Sequence, residues 1–246
     1  SDLDQSWMHV FKMYVENLQK THDFRLLALD SLTTLRVECG ALIADAPTLS
    51  SHVSHALHVS RPTAGETLAR LEREGYVERN AHKEILLTVH GRAEADRVIR
   101  AQRILERFVT DILSYTPEES YERAREISPG FDAEALERVY GALGQPTTCP
   151  HGWPIDAAEG RATARELTAL SAAVPGDRLV VDRLEESARS RLPVLLAAGL
   201  KPGQEVTVTA VDHAQGTIAL SFAGTATTVE LDDAAGAFVR SASLAV

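Results

Sequence analysis

The sequence predicts a mainly α-helical chain with a β-barrel appendage. Three observations predict it. Through residues 25–143, apolar side chains recur at spacings of three and four, the period of helices. From 177 onward the pattern becomes short alternating runs of Val, Thr and Leu, the period of strands. Between the two lies a segment punctuated by Gly144, Pro146, Pro150, Gly152, Pro154 and Gly160. These divisions predict five parts: an extra N-terminal helix at 1–24, a winged helix-turn-helix at 25–95, a helical dimerisation domain at 96–145, an arm or linker at 146–176, and an SH3-like domain at 177–246.

Residues 1–24 carry Trp7, Met8, Phe11, Tyr14, Val15 and Leu18 at helical spacing. Leu26, Leu29, Leu32, Leu35, Leu42 and Ile43 predict a second helix, ended by Asp45-Ala46-Pro47. Leu49, Val53 and Leu57 mark a short helix over 48–57, followed by the tight turn His58-Val59-Ser60. The next helix has Pro62 in its first turn, where a missing N–H costs nothing, and buries Ala64, Leu68 and Leu71. Gly75 closes it. Strands at 76–79 and 84–88 flank the polar turn Asn80-Ala81-His82-Lys83 and form a wing. Helix, turn, helix and hairpin in this order favour DNA binding over a generic helical pair, the other reading being a winged helix used for protein contacts.

A long helix follows over 89–114, with Val98, Leu105, Phe108, Val109 and Ile112 as an apolar seam that needs a partner surface. Thr116-Pro117-Glu118-Glu119 has the form of a capping box. The helix it opens ends at Ser128-Pro129-Gly130, and Asp132 caps another with Leu136, Val139, Tyr140 and Leu143. In the arm, Cys149-Pro150-His151 offers two metal ligands, but no second pair follows. Zinc takes about four ligands, so a structural arm is the preferred reading. Strands are expected at 178–184, 205–211, 217–222 and 226–231, with a helix at 187–198, as in a small SH3-like barrel.

The bulk numbers narrow the function. A formal charge of −10 over 246 residues argues against a sequence-blind nucleic-acid coat. Residues 49–110 hold ten Lys/Arg and eight Asp/Glu, a net of +2, so the positive stretch overlaps the winged helix. The two cysteines, Cys39 and Cys149, form no disulfide framework, and a reducing cytoplasm is the expected compartment. No signal peptide or membrane span is expected. The sequence has no Gly-rich phosphate loop and no nucleophile elbow, so an enzyme is not expected.

These parts resemble the diphtheria-toxin-repressor family of iron- and manganese-dependent transcription regulators. The resemblance rests on Ser60-Arg61-Pro62-Thr63, on Leu68-Ala69-Arg70-Leu71-Glu72-Arg73-Glu74-Gly75-Tyr76-Val77, on Leu87-Thr88 with Gly91-Arg92, and on Arg103 to Phe108. The arm Cys149 to Ile155 and the stretch Leu195 to Val206 also fit, the latter to the family's SH3-like (FeoA-like) domain. It implies a homodimer that binds a double-stranded DNA operator and probes no membrane. Ser60, Pro62 and Glu66 would face base edges, with Arg61 beside them, while Thr63, Arg70 and Arg73 would lie near phosphates. The family often has glutamine where this chain has Glu66, and glutamate can only accept, as from cytosine N4.

The resemblance also implies Fe(II) or Mn(II), but the family's ligand positions are mostly lost. Counting from Ser60 without gaps places Thr33 at the first position, Gln102 and Glu106 on the long helix, and Tyr121, Arg125, Ser128 and Pro129 on the short one. Only Glu106 is a good metal ligand. Arg125 would repel a cation. Two outcomes follow. Ligands could be rearranged, drawn from His9, His22, Glu38, Cys39, Glu122 or Glu126. Alternatively Thr33, Gln102, Glu106, Tyr121, Arg125 and Ser128 form an altered effector pocket, with Arg125 paired to Glu106 and operator binding independent of metal.

Overall fold

The computed structural model describes residues 49–56, 60–164, 166–185 and 191–242. The expected helices over 1–45, Thr33, and the turn at 58–59 lie outside the described residues. The first unit contains α1 (Ser50–Ala56), α2 (Arg61–Arg73) and the antiparallel hairpin β1 (Val77–Arg79) and β2 (Ile85–Leu87). Ser60 caps α2, its hydroxyl accepting from the Thr63 N–H at 3.2 Å. Gly75, at φ +78°, takes the left-handed turn that ends the helix. Val53, Ala64, Leu68, Leu71, Val77, Ile85 and Ala95 form its core.

The 23-residue helix α3 (Val89–Asp111) leaves this unit and runs into the second. There α4 (Pro117–Ile127) and α5 (Ala133–Ala142) pack on it. The expected capping box is formed: Glu119 N–H donates to the Thr116 hydroxyl, and the Glu119 carboxylate accepts from the Thr116 N–H at 3.0 Å. The apolar seam of α3 does not all await a partner chain. Leu105 and Val109 are buried within this chain, against Ala124, Ile127 and Leu136. Ile112 remains 58% exposed.

The arm is more ordered than its Pro and Gly content predicts. It contains α6 (Ala157–Ala164), tied to α3 by a two-pronged pair of Arg161 with Asp96 at 2.6 and 2.8 Å. Beyond it lies a six-stranded antiparallel sheet in the order β3-β8-β4-β5-β6-β7. The strands are β3 (Thr168–Ala169), β4 (Arg178–Leu184), β5 (Glu205–Asp212), β6 (Thr217–Phe222), β7 (Thr225–Glu230) and β8 (Ala237–Ser241), with α7 (Leu192–Ala197) and α8 (Leu231–Ala234) between them.

The sheet corrects the barrel expectation. The order ends at β3 and β7, which do not pair with each other, so it is open. The two strands missed in the sequence, β3 and β8, are short, and β8 fills the side of β4 away from β5. One face buries Leu179, Val181, Leu184, Val206, Val208, Ile218 and Leu220 against Leu192 and Leu195 of α7. The β4–β8 register shifts between Val181 and Arg183, a bulge that returns Leu184 to the core and turns Arg183 toward the arm.

Candidate metal centre

Helix α3 places Glu106 on its buried face, three residues from Arg103, and both are fully buried. Cys149 and His151 arrive from the arm and are buried as well. The carboxylate of Glu106, the thiol of Cys149 and the imidazole of His151 each offer one ligand atom, and these atoms lie within 4.8 Å of one another. They bring together one residue the sequence had singled out as a ligand and two it had assigned to a structural arm.

The hydrogen bonds around His151 constrain its chemistry. Its Nε2 lies 2.9 Å from the Pro117 carbonyl oxygen. A carbonyl only accepts, so Nε2 carries the proton. Its Nδ1 lies 3.1 Å from Glu106 Oε2, also an acceptor when ionised. That contact is satisfied by a proton shared between the two groups or by a cation held by both. An ion bound at about 2.1 Å to nitrogen and to oxygen spaces them by roughly 3.0–3.4 Å, so the observed separation suits either. The other oxygen, Oε1, accepts from Gln102 Nε2 at 3.2 Å, and Gln102 donates also to the Tyr121 carbonyl at 2.9 Å. Gln102 thereby fixes the carboxylate's orientation, as an outer partner does for a metal ligand.

The arm segment is pinned from both sides. Cys149 N–H donates to the Trp153 carbonyl at 2.8 Å, closing a tight loop that contains His151. Gly152, at φ +88°, sits where a Cβ would run into the Asp182 carbonyl. Arg103 donates to the Pro154 carbonyl at 2.7 Å, and its guanidinium lies 5.3 Å from the Trp153 ring centroid.

The remaining predicted site residues lie elsewhere. Ser60, Arg61, Pro62, Thr63, Glu66 and Arg73 are exposed on α2 or at its cap, and Arg70 pairs with Glu74 at 2.9 Å. Of the expected effector pocket, Gln102, Glu106 and the Tyr121 carbonyl come together. Arg125 pairs with Glu122 at 3.3 Å, and its side chain is 43% exposed. Ser128 begins a short 3-10 turn at the end of α4. The expected Arg125–Glu106 pair is thus replaced by His151–Glu106, because Glu106 faces the arm and Arg125 faces outward.

Comparison with known families bears on this geometry. The iron dependent repressor, metal binding and dimerisation domain matches residues 88–157, and the FeoA domain matches 168–241. The first match contains Glu106, Cys149 and His151. The iron-dependent repressor IdeR of Mycobacterium leprae is 29% identical over 173 residues, covering 65% of this chain and 75% of that protein. The diphtheria toxin repressor of Corynebacterium diphtheriae is 27% identical over 190 residues, covering 72% and 81%. The chain belongs to the diphtheria-toxin-repressor family. Its relatives are repressors, not enzymes.

Solved structures agree on the fold of this family member. A manganese-dependent transcriptional repressor in complex with manganese superimposes with a TM-score of 0.75 at 24% identity, covering 87% of this chain and 100% of that one. ScaR with bound Zn2+ gives 0.73 at 23% identity, covering 87% and 99%. Among the described residues, no helix is long and apolar enough to cross a membrane.

Proposed function

We propose that this chain is a dimeric, DNA-binding transcription repressor whose regulatory metal is held by Glu106, Cys149 and His151. The observation that carries the reading is the convergence of three different ligand types, all buried, between a helix of the domain matched as metal-binding and an arm outside that helix. Burying ionisable groups costs several kcal/mol, roughly, unless they share a proton or an ion, and here Glu106 and His151 lie 3.1 Å apart with the Cys149 thiol beside them. Sulfur and imidazole donors beside one carboxylate suit a late first-row divalent ion such as Fe(II), Co(II) or Zn(II). When bound, the ion supplies charge that ties α3 to the arm. In this reading Glu106 pairs with His151 rather than with Arg125, which pairs with Glu122.

DNA recognition is assigned to α2. Its exposed Ser60, Arg61, Pro62, Thr63 and Glu66 are presented at the helix start, where recognition helices contact base edges. Arg70 and Arg73 follow on later turns and suit phosphates. Dimerisation is assigned to the helical domain, whose matched description includes it.

A genomic binding selection run with metal-free and with Fe(II)- or Zn(II)-loaded protein tests the whole reading. Enrichment of a two-fold symmetric sequence, with affinity raised at least tenfold by metal, is expected; that factor is about 1.4 kcal/mol of coupling. A symmetric site bound equally well after chelation would return the protein to the metal-independent class, with Glu106–His151 as an internal ion pair. No enriched sequence under either condition would remove the DNA assignment.

A further inference from the structure

The FeoA-like sheet meets the segment that carries Cys149 and His151 at Trp153 and Leu184. Two buried guanidiniums approach the ring of Trp153, Arg103 from α3 and Arg183 from β4, with Cζ to ring-centroid distances of 5.3 and 4.9 Å. Its Nε1–H donates to the Leu184 carbonyl at 2.6 Å. Leu184 N–H donates in turn to the His151 carbonyl at 2.9 Å. Both backbone groups of Leu184 are therefore spent on the segment that carries the ligands. The Cys149–Trp153 loop adds to the end of β4 almost as another strand would.

The bulge in β4 makes this contact possible. Without it, Arg183 would share a face with Leu179 and Val181 in the sheet core. With it, Arg183 turns to the arm, donating to the Gly160 carbonyl at 3.1 Å and the Thr163 hydroxyl at 2.9 Å while stacking on Trp153. Asp182, beside the bulge, pairs with Arg183 at 2.9 Å and Arg240 at 3.4 Å. Both guanidiniums lie within cation–π range of the same ring.

We infer that Trp153 and Arg183 are positioning residues for the metal centre, and that the sheet's attachment and metal binding are coupled. The inference rests on the metal reading above. Two of the three ligands belong to a loop whose conformation is set by β4, while the third belongs to α3. An ion shared by Glu106, Cys149 and His151 therefore closes a circuit from α3 through the loop to the sheet. Coupling of this kind is reciprocal: loosening the sheet weakens metal binding, and metal binding tightens the sheet.

The test uses the full chain and cobalt(II) alone as probe. Wild type is expected to show a near-ultraviolet thiolate-to-cobalt absorption that saturates on titration. Arg183→Gln should weaken cobalt binding by roughly five- to a hundredfold, the usual range of such couplings. Arg183→Lys, which keeps a cation over the ring, should recover part of it. Amide exchange at Leu184 in the wild-type protein, which needs no variant, should slow about tenfold on adding cobalt, since its N–H reports the His151 bond. Absence of the wild-type absorption would overturn the metal reading and this inference with it. A normal absorption with Arg183→Gln binding as tightly as wild type, or with Leu184 exchange unchanged by cobalt, would overturn the coupling and leave the metal reading standing.

Discussion

His151 Nδ1 lies 3.1 Å from Glu106 Oε2, joining two fully buried residues separated by 45 positions in the chain. One comes from the long helix and the other from an arm that reads as a linker. The contact fixes where the two halves of the protein meet.

Glu106→Gln should weaken Fe(II), Co(II) and Zn(II) binding at least tenfold, because an amide oxygen lacks the charge that offsets dehydration of a divalent ion. Gln102 can still hydrogen-bond the new side chain, so the fold should persist. Calorimetric titration of the metal, beside a melting curve, checks both. Unchanged affinity would mean that the ion, if any, sits elsewhere.

Cys149→Ser should separate the metals. Serine keeps the size and removes the soft donor. Zn(II) and Co(II) affinity should fall by more than Mn(II) affinity, since manganese depends least on sulfur. Competition between Mn(II) and Co(II) in the two proteins reads the difference directly. An equal loss for both ions would argue that the thiol is a packing residue.

Two substitutions on α3 should part company. Leu105 is fully buried in this chain, so Leu105→Glu should destabilise the fold itself, by roughly the 2–5 kcal/mol of a lost core leucine or more. Ile112 is 58% exposed, and Ile112→Glu should leave the melting temperature nearly unchanged while shifting the protein toward monomer. Analytical ultracentrifugation at micromolar concentration decides it; a dimer undisturbed by Ile112→Glu places the interface on another surface.

On α2, Glu66→Gln should change base preference at one position per half-site, while Arg73→Ala should weaken all sequences alike and reduce the salt slope by about one. Selection on each variant, at two salt concentrations, separates the effects. If Glu66→Gln leaves the preferred sequence intact, Glu66 does not read a base.

The Thr116 capping box should respond to acid. The Thr116 backbone N–H, followed by its hydroxyl, holds the Glu119 carboxyl below the usual carboxylate range. A carboxyl lowered in the folded state adds stability that is complete above its unfolded value and is lost as pH falls through the folded one. Protection of the first amides of α4 should therefore decline only in that acidic window. In Glu119→Gln the decline should vanish, which amide exchange against pH will show.

Much of the fold could be read from local chemistry. Ser60, Thr88 and Thr116 each mark a helix start because their hydroxyls accept from an N–H three residues on. The strands at 178–184 and 217–222 stand where alternation placed them. These features depend on neighbours in the chain. The FeoA-like sheet was less legible in its closure: β3 and β8 are too short to show alternation, and only pairing with β4 and with each other makes them strands.

The centre divides the same way. The sequence by itself held the candidate donors: Glu106 on a helical face, and Cys149 and His151 two residues apart in an arm it read as structural. It could not say that they meet, because periodicity runs along one element and carries no information about what faces it. Tertiary structure decided that. Packing of the arm on α3 brought His151 to Glu106, a register shift in β4 turned Arg183 onto Trp153, and the outward face of α4 took Arg125 away. Each is a choice between surfaces far apart in sequence, settled by which burial leaves fewest charged and polar groups without partners.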